Sequence, residues 1–363
     1  MSDLLTTRKL VCPFCLEEIT GSKLERKCSS CQRPTPALYL KDARDLEPMA
    51  VQAMGWSGHG KSVFLSALTL LLTRMQVVWE DYSWSPGSEE TREAILDSNR
   101  RLESGLLPLP TNKGVDLPCL ILLRGMDRFK GRALVYRDCA GEHFDTNSMP
   151  VEQVPFLLKA KTLFLIASPV DLAARRERPI DMLLNGFLNT LEEHGVDPSK
   201  DRRRLVVVLT KGDLIQDLPK PLHDYLVKDR VWRTLEEGTP DLRFDEPAID
   251  RYLATMREVD RHLREWIERD AHGRHLVRLA TQSGLDLCFS LVSATGGPVS
   301  GGDSESQLEN RWEPRRVLDP LLWALSFNPP PKSRIFSTAP PELPRSSKQH
   351  GLIARWWEWL KDL

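Results

Sequence analysis

A glycine-rich turn between two apolar segments carries the strongest chemical pattern in the sequence. Residues 55–62, GWSGHGKS, match the spacing G-x-x-x-x-G-K-S. Glycines let backbone N–H groups approach phosphate oxygens, Lys61 can reach the β- and γ-phosphates, and the Ser62 hydroxyl can ligate Mg²⁺. The apolar segment 49–55 predicts a strand, and the pattern at 61–72 predicts a helix whose N-terminus adds a positive field. The predicted phosphate-binding residues are Gly55, Gly58, His59, Gly60, Lys61, Ser62 and Val63.

A second polar turn, DCAG at 138–141, follows the apolar strand pattern ALVYR. A carboxylate at Asp138 can hold Mg²⁺, usually through water, and Gly141 lets its backbone amide meet a γ-phosphate. Ligands of mostly parallel sheets bind at the carboxyl ends of the strands. We therefore expect this turn to lie beside the glycine-rich one and to complete a magnesium–phosphate site.

Two further strand ends can select the base. TKGD at 210–213 follows LVVVL, and the Asp213 carboxylate can accept hydrogen bonds from the two donor groups of a guanine edge, while the Lys211 stem covers the base. Adenine lacks that donor pair, so such a site would discriminate against it. After CFSLV, a backbone amide at Ser293 or Ala294 can contact the guanine oxygen. Along the chain, a phosphate-binding turn is followed by a Mg²⁺ ligand and then by two contacts to the base. This order of motifs predicts a guanine-nucleotide site.

With these motifs the chain resembles the Ras-like GTPases of the TRAFAC class of P-loop proteins over about residues 48–326. The resemblance implies binding of GTP and GDP with Mg²⁺, a two-state switch and slow hydrolysis. It assigns phosphate binding to Gly55–Ser62, the third motif to Asp138 and Gly141, guanine recognition to Thr210, Lys211 and Asp213, and the fifth motif to Ser293 and Ala294. Thr210 stands where asparagine is commoner in the family. Two intervals, 63–110 and 214–292, are far longer than in small GTPases and suggest docking surfaces specific to this chain.

Thr111 is the candidate for the second motif, a threonine just before the second strand of such proteins. In the family its hydroxyl and carbonyl hold Mg²⁺ and the γ-phosphate in the triphosphate state. Thr111 precedes a strand pattern that starts near residue 115, whereas Thr73 and Thr91 lie inside helical pattern. Thr111 could instead be only a turn residue after Pro110.

The residues after Gly141 depart from the family, whose fast members have Gln or His directly after this glycine. Here Glu142 follows, and His143 comes next. A glutamate can orient water, but its charge would face a highly charged γ-phosphate, and His143 could rotate in instead. We therefore expect slow intrinsic turnover, completed by a partner that supplies an arginine. His143 could also be a surface residue without a chemical role.

Four of the seven cysteines are bunched as two C-x-x-C pairs separated by twelve residues: Cys12, Cys15, Cys28 and Cys31. Two such pairs can converge on tetrahedral coordination of a structural Zn²⁺. So small a segment has little core of its own, so metal binding would supply its folding energy. The pattern predicts a zinc ribbon, with an iron–sulfur site or a redox pair as alternatives. The surrounding charge is mixed, which favours docking on protein over nucleic-acid contact.

Short apolar strands that alternate with helices predict an α/β fold of the P-loop NTPase type, a mostly parallel sheet with helices on both faces. We expect a zinc ribbon at 1–42 and a GTPase domain at 48–327 with insertions at about 76–110 and 216–282. A Pro- and Ser-rich linker should follow at 328–350, and an amphipathic helix at 351–363. QVVWEDY at 76–82 predicts a strand or strand–turn, and the segment 285–297 is expected to be the last strand.

Composition excludes several classes of partner. The 50 basic and 51 acidic residues give a net charge of −1, so neither nucleic acid nor another polyanion is expected as partner. No apolar run reaches the roughly 18–20 residues that span a bilayer, and no signal pattern begins the chain, so a cytoplasmic location and no membrane partner are expected. The tryptophan-rich helix at 351–363 could pack on its own domain, dock on a partner protein or contact a membrane surface.

The sequence therefore favours a GTP-binding switch with low intrinsic hydrolysis that acts through an effector and a GTPase-activating protein. The ribbon, the long switch interval and the end of the domain look like GTPases of bacterial multi-protein conflict or signalling modules. One alternative is an interaction scaffold that binds nucleotide and barely hydrolyses it. Another is a nucleic-acid-directed P-loop ATPase that uses the ribbon as reader, against which Asp213 argues.

Overall fold

The computed structural model describes residues 10–19, 27–108, 117–145, 149–170, 179–238, 242–301 and 306–327. Three predicted features lie outside the described residues: Thr111, the linker at 328–350 and the helix at 351–363.

A seven-stranded sheet forms the centre of the described chain. The strands are β1 Glu47–Gly55, β2 Ser83–Pro86, β3 Cys119–Arg124, β4 Arg132–Ala140, β5 Thr162–Ala167, β6 Arg204–Leu209 and β7 Asp286–Leu291. Their order across the sheet is β2-β3-β4-β1-β5-β6-β7. β4, β1, β5, β6 and β7 run parallel, while β2 pairs with β3, and β3 with β4, in antiparallel register. The carboxyl ends of the five parallel strands therefore meet at one edge of the sheet.

Helices connect the strands. Their bounds are α1 Ala37–Asp42, α2 Lys61–Leu72, α3 Glu89–Glu103, α4 Glu142–Asp145, α5 Val154–Lys159, α6 Ile180–Glu193, α7 Lys220–Val227, α8 Arg230–Glu237, α9 Glu246–Ile267, α10 Ala271–Gln282 and α11 Asp319–Leu325. Side-chain caps begin several of them, since a Ser or Asp oxygen can satisfy backbone amides that have no partner inside the helix. The capping residues are Ser88, Asp229, Asp245 and Asp270.

The apolar residues of the central strands alternate between two cores. Phe164 and Ile166 of β5 face one core together with residues of α2, α3, α8 and α11. Leu163 and Leu165 face the other core, with residues of α6, α7 and α10. Helices therefore cover both faces of a mostly parallel sheet, and the predicted α/β architecture is confirmed. Within the described ranges, no helix has the length and apolar character that crossing a bilayer requires.

A third, smaller core lies under the antiparallel side of the sheet. Tyr39 of α1 is fully buried there against Leu120 and Leu122 of β3, Val135 of β4 and Phe156 of α5. α1 thus packs on the sheet although the sequence groups it with the cysteine segment. The domain boundary at residue 42 stays a prediction.

The expected strand at 76–82 is wrong. Met75–Val77 form a 3₁₀ turn, and the edge strand β2 begins only at Ser83. Trp79 is 1% exposed and packs at 4.9 Å from the ring of Phe244, whose backbone amide bonds to the Val78 carbonyl. Tertiary packing against the second insertion thus overrides the β-propensity of this segment.

The segment 285–297 does contain a strand, but it is not the last one. Two short strands follow, β8 Val299–Ser300 and β9 Gln307–Leu308, and they pair in antiparallel register outside the main sheet. Gln307 also bridges to Leu106, which ties this hairpin to the segment after α3. Such two-residue pairs have too little apolar periodicity to be recognised in a sequence.

Candidate functional site

The phosphate loop, residues 55–62, lies between the end of β1 and the start of α2. Gly58 and Gly60 have φ values of 84° and 83°, a left-handed conformation that glycine adopts without strain. A Cβ on Gly55 would lie 2.4 Å from the carbonyl oxygen of Ile166 in β5, so only glycine fits there. The Lys61 ammonium donates to the carbonyl oxygens of Gly55 and Trp56, at 2.7 and 3.1 Å. The loop thus has the backbone shape and the cation that phosphate binding requires.

β4 brings Asp138 to the same place. β4 pairs with β1 so that Asp138 lies opposite Ala53, and the Gly141 amide donates to the Gly55 carbonyl at 3.0 Å. Burial raises the pKa of the Asp138 carboxyl, as does the charge of Glu142, whereas Lys61 lowers it. One carboxylate oxygen of Asp138 is buried and has no hydrogen-bond partner among the described residues. A divalent cation near this oxygen would compensate its burial.

Gly141 is a point of close contact between β4 and the phosphate loop. A Cβ at this position would lie 2.7 Å from the Leu183 side chain, 2.8 Å from the Trp56 ring and 3.0 Å from the Gly55 carbonyl oxygen. We predict that Gly141→Ala lowers the free energy of unfolding by about 1–3 kcal/mol, the usual cost of overpacking. Chemical denaturation would measure it. Gly238→Ala, where a Cβ meets no atom within 4 Å, is the control and should cost only about 1 kcal/mol for its left-handed backbone. A smaller loss at Gly141 than at Gly238 would contradict the prediction.

Glu142 and His143 lie in α4, directly after Gly141. The Glu142 carboxylate accepts a hydrogen bond of 3.1 Å from the backbone amide of Ser57, inside the phosphate loop. The His143 side chain is half-buried in the same short helix. Glu142 therefore contacts the phosphate loop directly. Neither the sequence of residues 55–62 nor that of residues 138–141 indicates this contact by itself.

The base loop, residues 210–213, reaches the phosphate loop from the other side of β5. The Thr210 hydroxyl lies 2.8 Å from the His59 carbonyl oxygen and 3.1 Å from that of Ala167. Lys211 has a left-handed φ of 55°, and the Gly212 amide donates to Val292. Both carboxylate oxygens of Asp213 are buried and lack a hydrogen-bond partner within the described part of the chain. A buried carboxylate without a hydrogen-bond donor lowers the stability of the fold, unless a ligand donates hydrogen bonds to it.

The segment after β7 carries the predicted fifth motif, Ser293 and Ala294. Ser293 is fully buried and its backbone exchanges both hydrogen bonds with Arg315. The Ser293 hydroxyl accepts from the Gly296 amide at 2.9 Å, and the Ala294 carbonyl accepts from the Trp312 indole at 3.0 Å. These contacts fix the turn that carries the predicted fifth motif.

A buried polar network holds this segment against the second insertion. Arg316 lies 3.7 Å above the Tyr225 ring and donates to the carbonyl oxygens of Tyr225 and Lys228, at 2.8 and 2.6 Å. Asp319 accepts from the hydroxyls of Tyr225 and Tyr252, at 2.6 and 2.7 Å. Arg316 and Asp319 are 7% and 2% exposed. Buried charges that are paired in this way fix one arrangement of the elements that supply their partners.

The four-cysteine cluster, Cys12, Cys15, Cys28 and Cys31, has the geometry of a metal site. All four sulfurs lie within 4.8 Å of one another. The Cys12–Cys31 and Cys15–Cys28 sulfur distances are 3.7 and 3.6 Å. Tetrahedral Zn²⁺ with bonds of about 2.3 Å requires sulfur separations of about 3.8 Å. Burial raises the pKa of the Cys12 thiol, so a cation is needed to hold it as thiolate. The cluster can therefore bind zinc.

The two halves of the cluster have the same backbone form. In each half the amide of the first cysteine bonds to a carbonyl five residues on, Glu17 or Arg33. In each half the residue after the second cysteine is left-handed, Leu16 with φ 57° and Gln32 with φ 59°. The Phe14 amide also points to the Cys12 sulfur at 3.4 Å. This repeated form is typical of the two knuckles of a zinc ribbon.

Arg137 joins the first knuckle to the strand that carries Asp138. Its side chain is 1% exposed and donates to the Phe14 carbonyl at 3.0 Å, between Cys12 and Cys15. Its guanidinium also lies 5.5 Å from the centre of the Phe156 ring. Lys159 of α5 forms an ion pair with Glu17, just beyond the knuckle. The cysteine segment is thus docked on β4 and α5 by both apolar and charged contacts.

The structure brings the predicted site residues of three motifs into direct contact. Gly55, Lys61, Gly141, Glu142, His59 and Thr210 are linked by the hydrogen bonds described above. Asp213, Ser293 and Ala294 follow the carboxyl ends of β6 and β7. The Val63 side chain packs against the main core, so a ligand contact there would come from its backbone. Sequence reasoning missed Arg137, Trp312 and Arg316, although a charged residue inside the apolar strand of Arg137 is a recognisable signal.

Comparisons with known proteins add little to this description. No protein-family model matches the chain, and no curated protein matches it. Among solved structures, the chain is similar to a bacterial selenocysteine-specific elongation factor, EF-Sec, at 14% identity and a TM-score of 0.30. The match covers 69% of this chain and 26% of that chain, so this chain spans about a quarter of the elongation factor's length. A likeness this distant assigns neither a family nor an activity.

Proposed function

We propose that the chain binds GTP and GDP with Mg²⁺ and acts as a nucleotide-dependent switch with slow hydrolysis, through an effector and a GTPase-activating protein. The observation that carries the proposal is Asp213. Both of its carboxylate oxygens are buried without a partner among the described residues, in a loop whose Thr210 is hydrogen-bonded to the phosphate loop. A guanine edge offers two adjacent N–H donors, one for each oxygen. An adenine edge would leave at least one oxygen unpaired at a cost of about 1–3 kcal/mol.

The phosphate side supports the same proposal. Lys61 and the amides of the phosphate loop provide the positive field for the phosphates, and α2 adds its N-terminus. Ser62 and Asp138 would hold Mg²⁺, and Thr111 would join them in the triphosphate state. The metal would neutralise the charge that develops on the phosphate oxygens. Glu142 or His143 would orient the attacking water.

One observation favours a second candidate function. The Glu142 carboxylate is hydrogen-bonded to the Ser57 amide and so does not point freely to where water would attack. If the chain keeps this contact while nucleotide is bound, it would hydrolyse the nucleotide barely or not at all. It would then act as an interaction scaffold. Single-turnover hydrolysis with and without partner proteins separates the two functions. A nucleic-acid-directed ATPase would instead show preference for ATP over GTP.

The experiment that tests the proposal is a base-specificity switch at Asp213. We predict that Asp213→Asn weakens GTP binding by about a hundredfold, because two charge-assisted hydrogen bonds are lost. The same variant should gain affinity for xanthosine triphosphate, whose base offers an oxygen in place of the guanine amino group. Competition titrations with a fluorescent guanine nucleotide would measure both affinities.

The control for this experiment is Asp217→Asn. Asp217 is exposed on the same connection, so its loss changes the net charge equally without touching the base loop. Its GTP affinity should stay within about twofold of the unmodified chain. Unchanged GTP affinity in Asp213→Asn would refute guanine recognition by this residue.

A further inference from the structure

The phosphate loop already binds charged groups of the chain itself. The Lys61 ammonium donates to the carbonyl oxygens of Gly55 and Trp56, and the Glu142 carboxylate accepts from the amide of the next residue, Ser57. Three consecutive residues of the loop thus contact one internal cation and one internal anion. An anion that binds to this loop must compete with Glu142 for the Ser57 amide and must draw Lys61 away from the two carbonyls.

The contact of Glu142 lies at one end of the site. Glu142 directly follows Gly141, whose amide bonds to the Gly55 carbonyl and is predicted to meet the terminal phosphate of a triphosphate. Asp138, a second acidic side chain, lies four residues earlier in β4, and one of its carboxylate oxygens is buried without a hydrogen-bond partner among the described residues. A further negative charge placed among them is repelled unless one of them moves.

A diphosphate and a triphosphate differ at this end of the site. The first two phosphates of a bound nucleotide would lie against the amides at the start of α2. A third phosphate would add its charge beside Gly141, next to the Glu142 carboxylate that accepts from the Ser57 amide. Repulsion from Glu142 therefore acts more strongly on a triphosphate than on a diphosphate.

We propose that Glu142 sets the nucleotide preference of the site: its carboxylate, hydrogen-bonded to the Ser57 amide, favours GDP over GTP until α4 moves away from the loop. This inference rests on the proposed function, because it concerns how the same site discriminates between its two ligands. It also defines how a partner could act. A partner that binds α4 and withdraws Glu142 from Ser57 would promote GTP loading without contacting the nucleotide.

The test compares two ligands on three charge variants. Glu142→Gln keeps an oxygen that can accept from the Ser57 amide but removes the charge, whereas Glu142→Ala removes both. We expect Glu142→Gln to bind a non-hydrolysable GTP analogue about tenfold more tightly, with GDP affinity within about threefold of the unmodified chain. Glu142→Ala should show the same shift in the ratio of the two affinities. Isothermal titration with each nucleotide in Mg²⁺ buffer measures both.

The control is Glu192→Gln, which removes an equal charge from an exposed position in the last turn of α6 and should leave the ratio unchanged. An unchanged ratio in both Glu142 variants, or an equal change in GDP and triphosphate affinity, would overturn the role of Glu142. Failure of the unmodified chain to bind either guanine nucleotide would instead overturn the proposed function. High salt should reduce the shift, because screening weakens repulsion between partly exposed charges.

Discussion

Chelation of the metal should weaken nucleotide binding as well as stability. The Phe14 carbonyl, between Cys12 and Cys15 of the four-cysteine cluster, accepts a hydrogen bond from Arg137 of β4. Without a metal the two knuckles lose the bonds that fold them, because so small a segment has little core of its own. Arg137 would then keep its charge at a buried position with one acceptor fewer, at a cost of about 1–3 kcal/mol. The neighbouring residue of β4 is Asp138, so the strand that positions the predicted Mg²⁺ ligand would be disturbed.

We expect a strong chelator to lower the free energy of unfolding by about 1–3 kcal/mol, the cost of leaving the buried Arg137 guanidinium with one acceptor fewer. Guanine-nucleotide affinity should fall by about tenfold in the same sample. Thermal unfolding and nucleotide titration, with released metal quantified by a chromogenic chelator, would record the three quantities together. Cys28→Ser should reproduce the effect of chelation.

The control for the metal is Cys119→Ser, a substitution at a cysteine of β3 outside the four-cysteine cluster. It should retain the metal and nucleotide affinity. A loss of stability without a loss of affinity would show that Arg137 does not link the two sites. Retention of both stability and affinity after complete metal release would contradict a structural metal at the cluster.

Replacement of Lys61 should give the largest loss of triphosphate affinity of any single change in the site. In the structure the Lys61 ammonium bonds only to the carbonyls of Gly55 and Trp56 among the contacts described, and its side chain is half-buried. Those bonds are replaceable by water, so Lys61→Ala should cost little stability. The variant would lack the positive charge that is predicted to bind the β- and γ-phosphates. We expect triphosphate binding to weaken by at least about a hundredfold, roughly 3 kcal/mol.

This prediction is measured by titrating the GTP analogue and by thermal unfolding of the same variant. Lys220→Ala is the control, because Lys220 is an exposed lysine of α7 that pairs with Asp224. Its triphosphate affinity should match that of the unmodified chain. Undiminished binding in Lys61→Ala would mean that residues 55–62 are not the phosphate site. A large drop in thermal stability would mean that the lysine is mainly structural.

The bounds of several elements could be predicted because local signals agree with tertiary packing. The helix predicted at 61–72 is α2, and the helical pattern that contains Thr91 is α3, whose N-cap Ser88 accepts from the Thr91 amide. The segment 76–82 could not be predicted, because Val78 and Trp79 are held by Phe244, more than 160 residues later in the chain. Burial against a distant insertion leaves no periodic signal in the local sequence.

In the candidate site, too, some features could be predicted from the sequence and others could not. The residue types and spacing of the phosphate loop and base loop indicate chemistry by themselves. The contact between Ser57 and Glu142 joins residues 85 positions apart, and Thr210 meets His59 across 151 positions. Neither pairing follows from a motif, because it depends on which strands are neighbours and how far each loop extends beyond them. The role of Arg137 depends likewise on where the cysteine segment docks.

The network around Arg316 and Asp319 has a consequence for the engineering of this chain. The partners of these two residues are supplied by Tyr225, Lys228 and Tyr252, all inside the long insertion at 216–282. Deletion of the insertion would expose two buried charges beside the turn that holds Ser293 and Ala294. The segment 216–282 and the turn at Ser293 and Ala294 therefore form one structural unit, and grafting either alone onto another scaffold should fail.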